Sequence, residues 1–174
     1  MAEADTQEGR YVAAAAEYGP ALERLARAYE ADPDPRRDLV QEIHLALWRS
    51  FARFDGRCSV RTWTYRVAHN VATTHALKRR RLRLERLASL EEIEDAPGTD
   101  DPEAAAGERQ VMDRLMALIG ALKPPDRQVM LLYLEDLDAG AIGEITGLSP
   151  GAVAVKVHRL KSILARRFRQ GGQP

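Results

Sequence analysis

Between Gly56 and Leu84 the chain carries no aspartate or glutamate, yet it carries Arg57, Arg61, Arg66, Lys78, Arg79, Arg80, Arg81 and Arg83. From Glu85 to Glu108 the sign inverts, and Glu91, Glu92, Glu94, Asp95, Asp100, Asp101 and Glu103 are set against a single base, Arg86. Acids vanish again from Ile145 to the C-terminus, where Lys156, Arg159, Lys161, Arg166, Arg167 and Arg169 remain. Charge sorted this way cannot be gathered into one interior, because like charges at such density repel unless solvated or bound to a partner. The pattern therefore predicts two cationic modules joined by an anionic connector, hidden behind a formal net charge of zero. Acid-free cationic segments suit a polyanionic partner.

A chain of 174 residues holds one ordinary domain or two small ones. The charge pattern favours two. Domains of that size bury only about 60% of their unfolded surface, so each would gain stability from a partner. The lone cysteine, Cys58, has no second thiol to pair with inside the chain and suggests a reducing compartment. The N-terminal Met-Ala-Glu-Ala-Asp lacks the basic residues of a signal peptide, and no apolar run approaches membrane-spanning length. A cytoplasmic protein without membrane insertion is expected.

Helical periodicity runs through both modules. A polar extension over residues 1–10 precedes a first helix from about Tyr11 to Tyr29, with Leu22, Leu25 and Tyr29 on one face. Ala31-Asp-Pro-Asp-Pro breaks it. A second helix, from about Arg36 to Phe54, repeats Leu39, Ile43, Leu47 and Phe51, with Asp38, Gln41, Glu42 and His44 on its other face. After the loop Phe54-Asp-Gly-Arg-Cys-Ser, a third helix from about Ser59 to Leu84 buries Val60, Trp63, Val67 and Val71 and leaves Arg61, Arg66, Asn70, Thr73 and Lys78 polar. Residues 85–108 are too poor in apolar side chains to build a core and read as a flexible linker. Four further helices are expected over 109–170, and no stretch shows sustained period-two alternation. The predicted fold is all-α: two small helical domains, 11–84 and 109–170, joined by an acidic flexible linker.

The sharpest local pattern runs from Ala141 to Lys161. Two short helices crossing steeply need a small residue where they touch and a glycine at the turn, and Gly143 and Gly147 supply them between Ile142, Ile145, Leu148, Val153 and Val157. Ser149 can cap the second helix, with Pro150 at its first position. This describes a helix-turn-helix, whose second helix enters the major groove. Val153, Val157, Leu160 and Leu164 face inward, which leaves Lys156, His158 and Arg159 outside. Helical hairpins without DNA also contain glycine turns and basic faces, but the acid-free C-terminus favours the nucleic-acid reading. Lys156 can reach a guanine edge or a phosphate.

The first module adds Asp38-Leu-Val-Gln-Glu-Ile-His-Leu-Ala-Leu-Trp, Phe54-Asp-Gly, Ser59-Val-Arg-Thr-Trp-Thr-Tyr-Arg-Val-Ala-His-Asn and Lys78-Arg-Arg-Arg. With Leu122 to Arg127 and the helix-turn-helix, these segments resemble the bacterial RNA polymerase sigma factors of the extracytoplasmic-function (ECF) group over about Ala21 to Phe168. The resemblance implies a promoter-directing initiation subunit with core RNA polymerase and promoter DNA as partners, and an anti-sigma factor as a further one. It places Asp38, Gln41 and Glu42 on the polymerase-contacting face. It assigns Arg57, Ser59, Arg61, Arg66, Asn70, Lys78, Arg79 and Arg80 to capture and melting of the minus-ten element, the loop from Asp55 to Arg61 with Asn70 holding a flipped base. Asn70 is otherwise a plain helix-surface residue, and Trp63 fits the core better than a stacking role. Ser149, Lys156, His158 and Arg159 are assigned to the minus-thirty-five duplex.

The chain departs from the family at Ala141, where an acid is common, at Ala152, where a hydroxyl is, and at Ala154, where a polar or basic residue is. Its recognition helix is therefore poor in groups that read base edges, and DNA shape is expected to supply the rest. A free-standing helix-turn-helix regulator is the competing reading, but it leaves the Asp38 to Trp48 pattern without a role. His44, His69, His75, His158 and Cys58 lack metal-site spacing, and neither a phosphate loop nor a nucleophile signature is present. No cofactor and no enzymatic activity are expected.

Overall fold

The computed structural model describes residues 6–89 and 107–170, with side chains over 6–82 and 111–170. Every regular element among them is a helix: α1 (Gln7–Tyr29), α2 (Pro33–Phe51), α3 (Val60–Ser89), α4 (Gly107–Gly120), α5 (Pro124–Leu134), α6 (Ala139–Thr146) and α7 (Pro150–Gln170). This is the all-α architecture the periodicity predicted. The central part of the acidic linker, residues 90–106, lies outside the described residues.

Local chemistry sets the helix ends. Thr6 accepts the Gly9 amide on its hydroxyl at 3.0 Å, so α1 starts at Gln7, and residues 7–10, expected in a flexible extension, are helical. Asp32 accepts the Asp34 amide at 3.3 Å, with Pro33 at the first helical position. The two prolines thus sit where a helix tolerates them, and the break between α1 and α2 shrinks to a corner. Ser59 caps α3 by accepting the Thr62 amide at 3.0 Å.

The two modules share one core. Leu22 and Leu25 of α1, Leu39, Ile43, Leu47 and Phe51 of α2, and Ala68 and Ala72 of α3 join Met116, Ile119, Met130, Leu131, Leu160 and Leu164 in a single buried cluster. A second cluster unites Ala21 and Tyr65 with Val129, Leu132, Leu137, Ile142 and Val153. Small residues permit this docking: a Cβ on Gly120, at the end of α4, would lie 3.0 Å from the Ala28 carbonyl oxygen on α1.

Docking also corrects the expected face of α3. Val60, Trp63, Val67 and Val71 are only partly covered, whereas Thr62, Thr64, Tyr65, Ala68, His69 and Ala72 are the buried residues. The helix is covered by α1 and α2 on one side and by α5 and α6 on another, so its burial does not follow one apolar stripe. Trp63 packs on Phe54, ring centroids 5.4 Å apart, and donates its indole N–H to the Ser50 hydroxyl at 3.0 Å. That agrees with a packing role.

Candidate nucleic-acid and polymerase interfaces

The helix-turn-helix is built as its glycines suggested. Asp138 caps α6 by accepting the Ala141 amide at 2.8 Å, and Gly147 ends it at φ +77°, in the left-handed region. At Gly143 a Cβ would sit 2.6 Å from the Leu148 carbonyl oxygen, so the turn can cross there only over a glycine. Ser149 accepts the Ala152 amide at 3.3 Å, the predicted cap, which commits one lone pair of its hydroxyl to α7.

On α7, Val153, Val157, Leu160 and Leu164 are buried as expected, and His158 and Arg159 are exposed. Lys156 differs from its expected exposed place. Its ammonium lies 2.5 Å from Asp126 Oδ1, with only 23% of the side chain exposed, and Arg159 approaches the other carboxylate oxygen at 3.6 Å. Asp126 sits in the first turn of α5, where the helix dipole also favours an anion. The outermost apolar side chain on α7 is Val155, 71% exposed and bordered by exposed Ala152 and Ala154. Sequence reasoning passed over Val155, although the periodicity that buries Val153 and Val157 places it opposite them.

The residues assigned to the minus-ten element do not form one free cationic surface. Arg57 pairs with Asp55 at 3.0 Å. The Ser59 hydroxyl is engaged with Thr62. Arg61 donates to the backbone carbonyl of Glu135 and Arg66 to that of Glu144 at 2.8 Å, both on the second module. Arg79 pairs with Glu30 at 3.2 Å. Asn70, Lys78 and Arg80 are exposed on α3. A cleft of about 480 Å³ beside the loop is lined by Asp55, Arg57, Cys58, Trp63, Arg66 and Glu144.

Asp38 and Gln41 are exposed on α2, and Glu42 accepts from His75 at 3.3 Å. Leu45 and Trp48 continue the face of Asp38 and Gln41 at helical spacing, 48% and 44% exposed. The stripe is therefore mixed, with an apolar half that the sequence reading did not assign. Among the described residues no group of His, Cys, Asp or Glu is placed to hold a metal, and no helix is long and apolar enough to cross a membrane.

Two helical modules in this order, the second a helix-turn-helix, define the class, and comparison with known proteins specifies it. The family model for Sigma-70 region 2 matches residues 14–82, and that for Sigma-70 region 4 matches residues 112–164. The ECF RNA polymerase sigma factor SigF of Caulobacter vibrioides is 31% identical over 147 residues, covering 83% of this chain and 76% of SigF. The ECF RNA polymerase sigma factor SigG of Mycobacterium tuberculosis is 31% identical over 151 residues, covering 73% of this chain and 40% of SigG. The chain thus spans about two fifths of the length of SigG. It belongs to the ECF family of RNA polymerase sigma factors, which are initiation factors and not enzymes.

Solved structures show the same fold. CnrH, determined in complex with the cytosolic domain of CnrY, superposes with a TM-score of 0.66 at 21% identity, covering 95% of this chain and 90% of that one. The sigma factor RpoE of Bartonella quintana, determined with the anti-sigma factor NepR, gives 0.62 at 17% identity, covering 88% and 92%.

Proposed function

We propose that this chain binds core RNA polymerase and directs initiation at a promoter, working in the cytoplasm and releasable from an anti-sigma factor. Residues 11–84 act on polymerase and the minus-ten element, residues 109–170 grip the minus-thirty-five duplex, and residues 85–108 link them. The observation that carries this reading is the order of two family matches, region 2 and then region 4, on an exposed Asp38 and Gln41 face and a capped helix-turn-helix. NepR is named as an anti-sigma factor in the RpoE complex, which supports a partner of that kind here. Asp38, Gln41 and Glu42 contribute polar contacts to polymerase, and Leu45 and Trp48 extend that face. Arg57, Arg61, Arg66, Asn70, Lys78, Arg79 and Arg80 serve the minus-ten strand.

Promoter-dependent transcription reconstituted from this chain and core polymerase tests the reading. Replacing Asp38, Gln41 and Glu42 together with alanine should weaken core binding by roughly tenfold, about 1.4 kcal/mol, with helicity unchanged, since exposed helical positions accept alanine. Equal affinity in a binding titration removes the three from the interface. A chain that binds operator DNA as a dimer, and never polymerase, would be a free-standing regulator.

The recognition helix offers methyl groups more than hydrogen-bonding ones. In the major groove the thymine 5-methyl is the apolar mark, read by side chains such as Ala. Val155 and Ala152 are placed for that contact if α7 docks by its exposed face. Replacing thymine by deoxyuracil in the bound upstream duplex removes only the methyl. At one or more positions this should weaken binding by the original chain several-fold, and less so for Val155→Ser. Indifference to every such replacement would leave Val155 without a reading role.

A further inference from the structure

The observations that carry an inference beyond the proposed grip on upstream duplex lie within the second module, at Asp126 in the first turn of α5. A carboxylate at that place commonly serves its own helix, by accepting an unpaired amide. Here the helix start is satisfied without it. Pro124 and Pro125 bring no amide hydrogens, and the Asp126 and Arg127 amides both donate to the Lys123 carbonyl at 2.9 Å. The two carboxylate oxygens turn instead to α7, Oδ1 to the Lys156 ammonium at 2.5 Å and Oδ2 to the Arg159 guanidinium at 3.6 Å. Lys156 and Arg159 stand about one turn apart on the same side of that helix. Basic side chains so paired are the usual holders of a DNA phosphate, and here a carboxylate takes that place.

We propose that Asp126 is an internal stand-in for phosphate: it keeps Lys156 out of the contacts α7 makes with duplex DNA, and so sets the strength and salt dependence of that grip. The proposal rests on the reading of α7 as a duplex-binding helix given above. The two cations are held unequally. Asp126 and Lys156 have only 18% and 23% of their side chains exposed, so a salt solution screens the pair poorly and parting it leaves two enclosed charges alone. The positive end of α5 steadies the carboxylate further. Arg159 is 61% exposed and more than an ångström farther from the carboxylate, so a phosphate can draw it away. A guanidinium also suits phosphate better than an ammonium does, because its donors form a planar fork. The basic face of the recognition helix therefore offers DNA Arg159 but not Lys156, whose charge is spent inside the protein.

The test uses the full chain and Asp126→Asn, which keeps the shape and removes the charge. Binding of the variant to a short mixed-sequence duplex should tighten several-fold at low ionic strength. Its plot of log affinity against log salt should steepen by about one unit, the increment for one added phosphate contact. Loss of any negative charge near DNA also tightens binding, so a second measurement follows Lys156 itself: its acylation by an N-hydroxysuccinimide ester, with and without duplex, read by mass spectrometry. In the original chain Lys156 should react slowly and at the same rate when duplex is present. In Asp126→Asn it should react several-fold faster, and duplex should slow it. Protection of Lys156 by duplex in the original chain overturns the proposal. So does a variant whose salt slope is unchanged or whose binding weakens, which is the behaviour of a purely structural ion pair. If Asp126→Asn loses helicity by circular dichroism, the Lys156 rates in the original chain decide alone. A chain with no affinity for duplex at low ionic strength overturns the proposal together with the reading of α7. Failure to bind core polymerase overturns the initiation reading alone, because neither measurement uses polymerase.

Discussion

Acidification from pH 7 toward pH 3 should cost the fold roughly 4–5 kcal/mol through one side chain, His69. The imidazole is buried in α3, its Nδ1 3.3 Å from the Tyr29 hydroxyl and its Nε2 without a hydrogen-bond partner. Burial disfavours the imidazolium and pushes the pKa down to about 3 from 6.5. The unfolded chain therefore takes up the proton first. Stability from this group is complete above about pH 6.5, falls by about 1.4 kcal/mol per pH unit below it, and stops falling near the folded pKa. Carboxylates titrate over the same range in any variant, so the informative quantity is a difference. Urea unfolding at several pH values should show that His69→Gln, which keeps a group for Tyr29 to bond, is less acid-sensitive by about one proton. Parallel stability curves for the two proteins would show that His69 is not the group responsible.

Gly143→Val should destabilise the second module by about 3 kcal/mol and abolish binding to upstream duplex. The Cβ would lie 2.6 Å from the Leu148 carbonyl oxygen, a backbone atom that can move only if the turn between α6 and α7 moves with it. The side chain branches at that same carbon, and Gly143 is buried, so no rotamer relieves the contact. Reopening the crossing displaces α7 from the angle at which the proposed function has it enter a groove, which couples folding loss to binding loss. Gly19 in α1 provides the contrast, since nothing lies within 4 Å of its Cβ position. Gly19→Ala should be neutral or stabilising by roughly 0.5–1 kcal/mol. Thermal unfolding and duplex titration of both variants decide the matter, and a Gly143→Val protein that binds duplex normally would mean the crossing is more compliant than its geometry implies.

The parts of the fold legible in the sequence are those set by neighbouring residues. Gly147, Ser149 and Pro150 are local signals, and the end of α6 and the start of α7 stand where they put them. The apolar repeat of α2 is buried as read. What was illegible depends on partners distant in the chain. Thr62, Thr64 and His69 look like surface residues on α3 until packing buries them, His69 against Tyr29 of α1. Lys156 looks free until Asp126, thirty positions earlier, meets it. Arg61 and Arg66 carry the chemistry expected of strand-binding groups, but nothing in a helical period announces that the carbonyls of Glu135, just past α5, and of Glu144 in α6 would take them.

The interior shared by the two modules also couples their stabilities. While Leu22, Met116, Ile119 and Leu164 belong to one cluster, closing and melting are coupled, and heat should remove both modules in a single calorimetric transition. Prising them apart leaves two small domains, each with an apolar flank in water and each marginal by size. The open chain is then the form that proteases reach, since cleavage follows the population of locally unfolded states. Chains whose modules have parted should therefore be degraded faster than closed ones.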